Sequence, residues 1–320
     1  MVTGITGGAG FLGSHIVDYF VDNDEDVIVI DDFSEGTREN LSDSLNAVEI
    51  REVDLRDRHE TVNRLDDLDV IVHLAAKIGG IGYFHHVPAD IIAMNDAMNR
   101  SVFDAAVELD YDRICYASSS MVYENASEFP VTEDQLGEIR PPESAYGFQK
   151  LAGEYYCRAY HDQYDVEYSI FRPFNAVGPR EPPGEEVGQA HVIPDFVKKI
   201  YDEKQYPLDI LGSGEQIRSF TNVKDIAAGV YKCAYSKAAV NGDFNLGSAE
   251  EITMLDLAEK IWTHCDREED FAVDRQEAFD HDVQKRIPDS SKAVELLNWE
   301  PEISLDESLD EYITWYKETL

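Results

Sequence analysis

Basic residues and long hydrophobic runs are both scarce in this sequence. Its 320 residues include 27 Lys and Arg against 65 Asp and Glu, which gives a formal net charge of −38 at pH 7. A surface this acidic disfavours nucleic acid and anionic membranes as partners. No apolar run approaches the ~20 residues of a membrane-spanning helix, and no basic segment precedes an apolar one near the N-terminus. We therefore expect neither a membrane span nor a signal peptide.

Cysteine is also scarce. The four cysteines lie far apart and form no CxxC pair: Cys115, Cys157, Cys233 and Cys265. In a chain of this length, such spacing indicates reduced thiols in the cytoplasm. His85 and His86 have no cysteine or carboxylate partners at the spacing of a metal site, so we predict no metal centre.

The acidic residues form short clusters spread along the chain, such as Asp22–Asp26 and Asp266–Asp270. A charge of one sign over a whole surface destabilises the compact state by self-repulsion unless salt screens it. At ~1 M salt the Debye length falls to about 3 Å. The hypothesis that follows is a cytoplasmic protein of a cell that accumulates salt. A fold that is fully stable in dilute buffer would contradict it.

The N-terminal segment combines a short apolar strand, a glycine turn and an amphipathic stretch. Gly7, Gly10 and Gly13 lie at regular spacing between the strand and the predicted helix. Glycines at such a turn let the backbone approach a pyrophosphate, which lies at the N-terminus of the helix. Asp31 follows a second strand, 18 residues past Gly13, close to the spacing at which a carboxylate binds an adenosine ribose. Because that carboxylate would repel a 2′-phosphate, the pattern favours NAD over NADP.

Further strand-like segments alternate with helical stretches along the first half of the chain. They cover residues 48–53, 70–74 and 113–117. This alternation predicts a parallel, doubly wound sheet, in which ligands bind at the carboxyl ends of the strands. His73 lies inside one of these apolar runs, so we predict a buried histidine with satisfied hydrogen bonds.

A tyrosine and a lysine stand four residues apart in a predicted helix whose predicted N-cap is Ser144. Tyr146 and Lys150 therefore share one helix face. An ammonium at ~6 Å and an effective dielectric of about 20 favours the phenolate by roughly 2.8 kcal/mol, or about two pK units. We therefore predict that Lys150 lowers the Tyr146 pKa, and that a second positive charge, such as an oxidised nicotinamide, is needed to reach neutrality. Ordinary helices also carry this spacing, so the interpretation depends on the flanking motifs.

These motifs occur together. In chain order they are Gly7-x-x-Gly10-x-x-Gly13, Asp31, Asp54-Leu55, Leu74-Ala75-Ala76, Ser118-Ser119-Ser120 and Tyr146-x-x-x-Lys150. The chain resembles the extended short-chain dehydrogenases/reductases of the NAD-dependent epimerase/dehydratase family, which act on nucleotide sugars, over essentially its whole length. The resemblance implies an α/β fold, a Rossmann-like doubly wound parallel sheet with a smaller mixed α/β C-terminal substrate domain. The expected NAD-binding domain covers 1–174, with a return near 219–247, and 175–320 mainly binds substrate.

The resemblance also implies roles for individual residues. Ser119, Tyr146 and Lys150 would be catalytic. The residues expected to bind NAD are Gly7, Gly10, Phe11, Leu12, Gly13, Asp31, Asp32, Ser34, Asp54, Leu55, Leu74, Ala75, Ala76, Lys77, Asn95, Tyr146, Lys150 and Phe174. The residues expected to bind the sugar nucleotide are Ser119, Ser120, Met121, Asn175, His191, Val192, Arg218 and Arg286. Arginine suits a diphosphate because a guanidinium binds phosphate with two parallel hydrogen bonds.

The residues after Ser119 bear on the reaction. Sugar 4,6-dehydratases of the family carry an acidic residue there, whereas this chain has Ser120 and Met121. A thioether cannot act as a general acid, so dehydration is disfavoured. Enzymes that epimerise GDP-sugars at C3 and C5 carry a cysteine at the Met121 position, yet residues 75–81 and 191–194 resemble those enzymes. His191 would then either line the sugar pocket or act as an acid or base.

The predicted activity is inversion at C4 of a UDP- or GDP-hexose through a transient 4-keto sugar, as in the UDP-hexose 4-epimerases. A GDP-sugar 3,5-epimerase or epimerase-reductase is the alternative. A non-catalytic NAD-bound protein fits less well, because a sensor would need none of Ser119, Tyr146 and Lys150. The resemblance further implies a homodimer formed through helices near 89–109 and 146–161.

Overall fold

A seven-stranded parallel sheet forms the centre of the molecule in the computed structural model, which describes residues 1–78, 87–184, 190–277 and 283–319. Residues 79–81 of the GDP-sugar-like run, as well as His85 and His86, lie outside these ranges. The strands are β1 (Val2–Thr6), β2 (Asp26–Asp31), β3 (Glu49–Glu52), β4 (Val70–His73), β5 (Arg113–Ala117), β6 (Tyr168–Pro173), β7 (Ala176–Val177), β8 (Leu208–Leu211), β9 (Ile217–Arg218), β10 (Thr221–Asn222), β11 (Gly242–Leu246), β12 (Ile252–Thr253), β13 (Val273–Gln276) and β14 (Lys285–Arg286). The central sheet has the order β11-β6-β5-β4-β1-β2-β3, and every neighbouring pair is parallel. The predicted doubly wound sheet is confirmed.

Helices cover both faces of this sheet. The helices are α1 (Phe11–Asp22), α2 (Arg58–Arg64), α3 (Pro88–Glu108), α4 (Ala145–Tyr164), α5 (Val192–Val197), α6 (Val223–Tyr235), α7 (Met254–His264), α8 (Ser291–Leu297) and α9 (Leu305–Thr319). Helices α1, α6 and α8 pack on one face, and α3 and α4 pack on the other. None of the helices in the described ranges has the length and hydrophobicity to cross a membrane.

Strand β2 illustrates why these segments are apolar throughout. Val27 and Val29 pack toward α1, whereas Ile28 and Ile30 pack in the core on the opposite face. Successive side chains of a strand point to opposite faces, and here both faces are covered by helices. An uninterrupted apolar run is therefore the pattern that a strand of this sheet requires.

Among the residues that the structure describes, three small sheets lie outside the central one. Strand β7 pairs with β10, β9 lies between β12 and β14, and β8 pairs with β13. A second hydrophobic core contains side chains of α5, α7 and α9, and in α9 the buried Leu305, Leu309 and Ile313 recur at helical spacing. Strand β11 and helix α6 lie back on the central sheet. The predicted smaller α/β part is confirmed, and the boundary at residue 174 stays a prediction.

Candidate active site

The glycine turn joins β1 to α1 at the carboxyl edge of the sheet. Gly7 has φ +68°, and a Cβ there would lie 3.0 Å from the Ala75 backbone. A Cβ at Gly13 would lie 2.0 Å from the Gly7 carbonyl oxygen, so a side chain would push the helix off the turn. Helix α1 begins after Gly10 and directs its positive dipole end and first N–H groups toward this edge. The turn has the geometry of an anion site.

Asp31 ends β2 beside the glycine turn. Its Oδ2 accepts a hydrogen bond from Ala9 N and its Oδ1 accepts one from Phe33 N, each at 2.9 Å. Burial raises the pKa of this carboxyl, and the two backbone donors oppose the rise. The next residue, Asp32, accepts from the backbone N–H and the hydroxyl of Ser34 at 3.0 and 2.6 Å. The carboxylate assigned to the ribose is therefore fixed against the turn.

Two residues predicted to bind NAD have their side chains in the hydrophobic core. Leu55 is 4% exposed, and Phe174 is fully buried against Tyr123. Both side chains pack inside the protein, where apolar groups gain free energy from burial. Contact of these two residues with NAD stays a prediction. Asp54 accepts hydrogen bonds from Arg56 through both carboxylate oxygens, at 2.8 and 2.7 Å. Its contact with a cofactor stays a prediction.

The loop after β4 is held by side chains from β1 and α3. Thr6 Oγ1 accepts from the N–H groups of residues 74 and 75, each at 3.1 Å. Asn95 accepts from Lys77 N at 2.5 Å and donates to Lys77 O at 3.0 Å. The Lys77 ammonium lies 2.6 Å from a carboxylate oxygen of Glu35, on the loop after β2. Asn95 therefore orders the loop, and Leu74, Ala75 and Ala76 are part-buried beside the glycine turn.

His73 is a buried histidine with hydrogen-bond partners, as predicted. Its Nδ1 lies 2.8 Å from Thr6 Oγ1 and its Nε2 lies 3.1 Å from Asn99 Oδ1. Burial, followed by the charge of Lys150, lowers the pKa of His73 to about 3. The ring is therefore neutral at physiological pH.

Ser119, Tyr146 and Lys150 come together where β5 ends. Ser144 caps α4 by accepting from Gly147 N at 3.1 Å, which confirms the predicted start of the helix. The Ser119 hydroxyl accepts a hydrogen bond from Met121 N at 3.2 Å, and its interaction with the Tyr146 phenol acts to lower the pKa of that phenol. Lys150 Nζ lies 5.9 Å from the centroid of the Tyr146 ring and donates to the Ala117 carbonyl at 2.9 Å. The three predicted catalytic side chains therefore form one cluster.

The pKa of Tyr146 departs from the sequence prediction. Burial raises it, while the hydrogen bond with Ser119 and the charge of Arg286 act in the lowering direction. Burial also lowers the pKa of Lys150 to about 8, which weakens that residue as a fixed positive charge. The prediction that Lys150 lowers the Tyr146 pKa is thus wrong for the protein's own groups. Desolvation of the phenolate outweighs the nearby charges, and the main opposing charge comes from β14.

Two arginines of the C-terminal part lie side by side near this cluster. Arg286 on β14 is the register partner of Arg218 on β9, and the two strands run parallel. Arg286 Nη1 lies 3.4 Å from the hydroxyl of Ser120, and the neighbouring Met121 is 8% exposed. Arg218 is 7% exposed and donates to the Ile217 carbonyl at 2.9 Å. Because like charges opposite each other are unfavourable, an anion beside them would be stabilising.

His191 stands at the start of α5 and forms a very short hydrogen bond with Glu181 through Nδ1. The charge of Glu181 raises the pKa of His191, and Arg286 opposes this effect. Asn175, at φ +37°, donates to the Ser219 carbonyl at 2.6 Å. Val192 packs against the second hydrophobic core. Arg286 therefore lies near both His191 and the tyrosine cluster, whereas the Asn175 amide binds the protein itself.

Comparisons with known proteins agree with this geometry. A family model described as the NAD dependent epimerase/dehydratase family matches residues 4–247. The chain belongs to the NAD-dependent epimerase/dehydratase family. UDP-glucuronic acid decarboxylase 1 of Arabidopsis thaliana is 34% identical over 316 residues, covering 98% of this chain and 69% of that protein. The chain spans about two thirds of the length of three such Arabidopsis decarboxylases.

Two solved 4-epimerases have the same fold along the whole chain. The Thermotoga maritima UDP-glucose 4-epimerase with UDP-glucose has a TM-score of 0.89 and 28% identity, covering 100% of this chain and 99% of that one. The Methanobrevibacter ruminantium UDP-N-acetylglucosamine 4-epimerase with UDP-N-acetylmuramic acid has a TM-score of 0.88 and 30% identity, covering 99% and 98%. These likenesses extend through the C-terminal part.

As a member of the NAD-dependent epimerase/dehydratase family, the protein uses NAD. The glycine turn fits a dinucleotide, because a Cβ at Gly7 or Gly13 would fill the space that lets backbone approach a pyrophosphate. Asp31, on the strand beside the turn, has the acceptor chemistry that ribose hydroxyls require. The pKa-raising burial of Asp31 is opposed by two backbone donors, which favour the carboxylate.

The sequence prediction assigned no role to four residues that lie in or behind the candidate site. They are Ser118, Glu154, Arg172 and Glu181. Glu181 contacts His191, and the other three form a buried group behind the catalytic cluster. Glu154 lies four residues past Lys150, so a helical projection of the Tyr-x-x-x-Lys motif would have placed it on the same face. The partners of Arg172 and Glu181 depend on tertiary packing.

Proposed function

We propose that the protein is an NAD-dependent nucleotide-sugar epimerase that inverts C4 of a UDP- or GDP-hexose through a transient 4-keto sugar. The observation that carries the proposal is the contact of the Tyr146 phenol with Ser119, with Lys150 Nζ 5.9 Å from the phenol ring. This cluster lies at the carboxyl edge of the sheet, where the glycine turn also lies. A proton acceptor and a dinucleotide turn at one edge suit reversible oxidation of a hydroxyl.

Each residue of the cluster then has one task. When bound, NAD would supply the reversible hydride transfer that oxidises and then reduces the sugar carbon. Tyr146 removes the proton of the C4 hydroxyl and gives it back, and Ser119 donates a hydrogen bond to the same oxygen. Lys150 would hold the ribose of the cofactor. Inversion follows when the keto sugar presents its other face before reduction.

The residues that follow Ser119 favour epimerisation over dehydration. Elimination of water needs an acid beside the hydroxyl that leaves. Ser120 and Met121 occupy those positions, and neither side chain is acidic. A reaction in which hydride leaves and returns needs no further acid.

The paired arginines favour a nucleotide diphosphate as the anion. Arg218 and Arg286 offer two guanidinium groups in register, which suits two phosphates. The Thermotoga epimerase was solved with UDP-glucose, and the Arabidopsis relatives are UDP-glucuronic acid decarboxylases. A UDP-sugar is therefore favoured over a GDP-sugar.

Decarboxylation of a UDP-hexuronic acid is the second candidate. Arg286 lies 3.4 Å from Ser120 and close to Tyr146, where its guanidinium could bind a carboxylate on C5 of the sugar. Oxidation at C4 would make that sugar a β-keto acid, which loses CO2 and takes up a proton at C5. Reduction at C4 would then yield a pentose.

Product analysis by NMR separates these reactions. The protein is incubated in deuterated water and molar KCl with UDP-hexoses, GDP-hexoses and UDP-glucuronic acid, and Tyr146→Phe is the control for contaminating activity. A 4-epimer without deuterium supports the proposal. A pentose with deuterium at C5 replaces it with decarboxylation, and a hexose with deuterium at C3 or C5 replaces it with 3,5-epimerisation. No turnover by a protein that retains NAD would leave a non-catalytic role.

The exposed apolar residues of α3 and α4 support a homodimer. Phe148 and Tyr155 on α4 are 47% and 64% exposed, and Ile92 on α3 is 39% exposed. Helices that expose large apolar side chains gain from pairing with a second copy. Light scattering in molar KCl tests this proposal, and a monomeric mass would contradict it. We further infer a cytoplasmic location from the four reduced, buried cysteines.

A further inference from the structure

Helix α4 holds the end of β5 at two neighbouring residues. Lys150 Nζ donates to the carbonyl of Ala117 at 2.9 Å. One turn further along, Glu154 accepts a hydrogen bond from the Ser118 hydroxyl at 2.6 Å, with both groups buried. The next residue of the strand end, Ser119, contacts Tyr146 on the same helix. The two residues that precede the candidate catalytic serine are therefore attached to α4.

The Glu154 carboxylate is a rigid anchor. It is fully buried and accepts from Arg172 Nε at 2.7 Å and from Arg172 Nη2 at 2.8 Å, a bidentate pair. Arg158 donates to the same carboxylate at 3.1 Å. Arg172, also fully buried, bonds Asp243 at 2.7 Å and the Tyr123 hydroxyl at 2.9 Å. A buried charge pair with this many partners has little freedom to move.

We propose that Ser118 is a positioning residue that holds Ser119 against Tyr146. Its hydroxyl ties the strand end to the anchored Glu154 carboxylate, while its backbone N–H donates to Phe171 O on β6 at 2.9 Å. These two bonds fix the residue next to Ser119, whose own hydroxyl also accepts a hydrogen bond from Met121 N at 3.2 Å. This proposal rests on the roles proposed above for Ser119 and Tyr146.

The alternative is that Ser118 merely satisfies the buried carboxylate. Without that hydroxyl, Glu154 would still accept from Arg172 through both oxygens and from Arg158. The charge pair would therefore survive a Ser118→Ala change, and only the connection to the strand end would be lost. This makes Ser118→Ala a cleaner test than any change of Glu154, which would leave Arg172 with an uncompensated buried charge.

Kinetics give the first readout of the test. Ser118→Ala should lower kcat between about tenfold and 100-fold, the cost of a small misplacement at a reacting centre, and leave KM and bound NAD unchanged. Ser101→Ala is the matched control, because it also removes a buried hydroxyl, one that bonds the Ala97 carbonyl of its own helix at 3.0 Å. That control should keep the wild-type kcat. Ser118→Cys, with a weaker donor, should lie between wild type and alanine.

Titration of the phenol gives a second readout that needs no substrate. The absorbance of phenolate is followed with rising pH, and each variant is corrected with the same protein carrying Tyr146→Phe. Because the Ser119 hydrogen bond lowers the pKa of Tyr146, its loss in Ser118→Ala should move the titration to higher pH. Ser101→Ala should titrate like wild type.

The two readouts separate this proposal from the proposed function. If Ser118→Ala matches Ser101→Ala in both kcat and Tyr146 titration, the positioning role is overturned. If wild type turns over no sugar nucleotide, the proposed function fails, and the titration alone decides the role of Ser118. Where Ser118→Ala does not fold, the comparison of Ser118→Cys with Ser101→Ala decides it by the same criteria.

Discussion

The central sheet and the C-terminal part supply the candidate site in different ways. The sheet contributes residues from the carboxyl ends of parallel strands, so Gly7, Asp31 and Ser119 lie along one edge. The C-terminal part contributes Arg218 and Arg286 from two-residue strands that lie far apart in the chain. In the first region, strand spacing predicts the site. In the second, only the register of small sheets brings the residues together.

The pKa values of histidines in the two regions shift in opposite directions. In the sheet region, burial lowers the pKa of His15 to about 4 and that of His73 to about 3. In the C-terminal part, the charge of Glu181 raises the pKa of His191. The sheet region therefore keeps its buried rings neutral, while the substrate side favours a cation. This contrast suits a scaffold on one side and an anion-binding surface on the other.

Lowering the salt concentration should have the largest effect and should not distinguish the two regions. Acidic clusters lie in both, at Asp22–Asp26 and Asp266–Asp270, so the weaker screening at 0.1 M, where the Debye length is about 10 Å, should unfold both. Loss of bound NAD reports on the sheet. Fluorescence reports mainly on the second hydrophobic core, which contains Trp262 with Trp315 packed against it, whereas Trp299 packs in the core of the central sheet. Both signals should fall at the same KCl concentration, and a protein stable in 0.1 M KCl would contradict the halophilic hypothesis.

Tyr146→Phe should separate chemistry from cofactor binding within the sheet region. Loss of a general base costs about 10²- to 10⁴-fold in kcat, so turnover should fall by that factor while NAD binding stays unchanged. Tyr164→Phe, a change at an exposed position at the end of the same helix, should behave like wild type. Loss of NAD together with activity would undercut the role assigned to Tyr146.

The accuracy of the sequence predictions also differs between the two regions. The glycine turn, Asp31 and the Tyr146–Lys150 face could be predicted, because local periodicity determines where strands end and which helix residues share a face. The direction of the Tyr146 pKa shift could not be predicted, because it depends on desolvation of the phenolate, which residue spacing does not encode.

The partners of the C-terminal residues escaped prediction for a related reason. Arg286 was a candidate from its flanking motif, but its nearness to Ser120 follows from the pairing of β14 with β9. Glu181 contacts His191, which is ten residues away in the sequence, and neither the helical nor the strand period predicts this contact. Long-range packing therefore decides what periodicity leaves open.

Acid stability should expose the contrast between the histidines. The pKa of His15 is about 4 in the folded state and 6.5 in the reference state, so the unfolded chain binds the proton first. Stability should therefore fall as pH drops from 6.5 to 4, by about 3 kcal/mol from this ring. In urea unfolding at constant KCl, His15→Gln should lose less stability over that range than wild type. His59→Gln, at an exposed position of α2, should keep the wild-type slope.

His191→Gln should show the opposite sign. Because the folded-state pKa of His191 is raised, its contribution is present below pH 6.5 and is lost as pH rises through the folded pKa. The variant should therefore be less stable than wild type at acid pH and approach it at alkaline pH. If the free energy of unfolding depended on pH with the same slope in His15→Gln and His191→Gln, the electrostatic distinction between the two regions would be contradicted.

The smallest expected effect is a difference between the two arginines of the C-terminal part in the pH dependence of kcat. Arg218→Gln and Arg286→Gln each remove one guanidinium from the anion site, and each should raise KM about tenfold, the cost of one hydrogen bond to a charged group. Only Arg286 acts on Tyr146, whose pKa its charge lowers. The ionisation that limits kcat should therefore move to higher pH in Arg286→Gln and stay in place in Arg218→Gln. If both variants shift, the two arginines act as one charge. If neither does, Arg286 belongs to substrate binding alone, and the phenol is tuned entirely by Ser119 and burial.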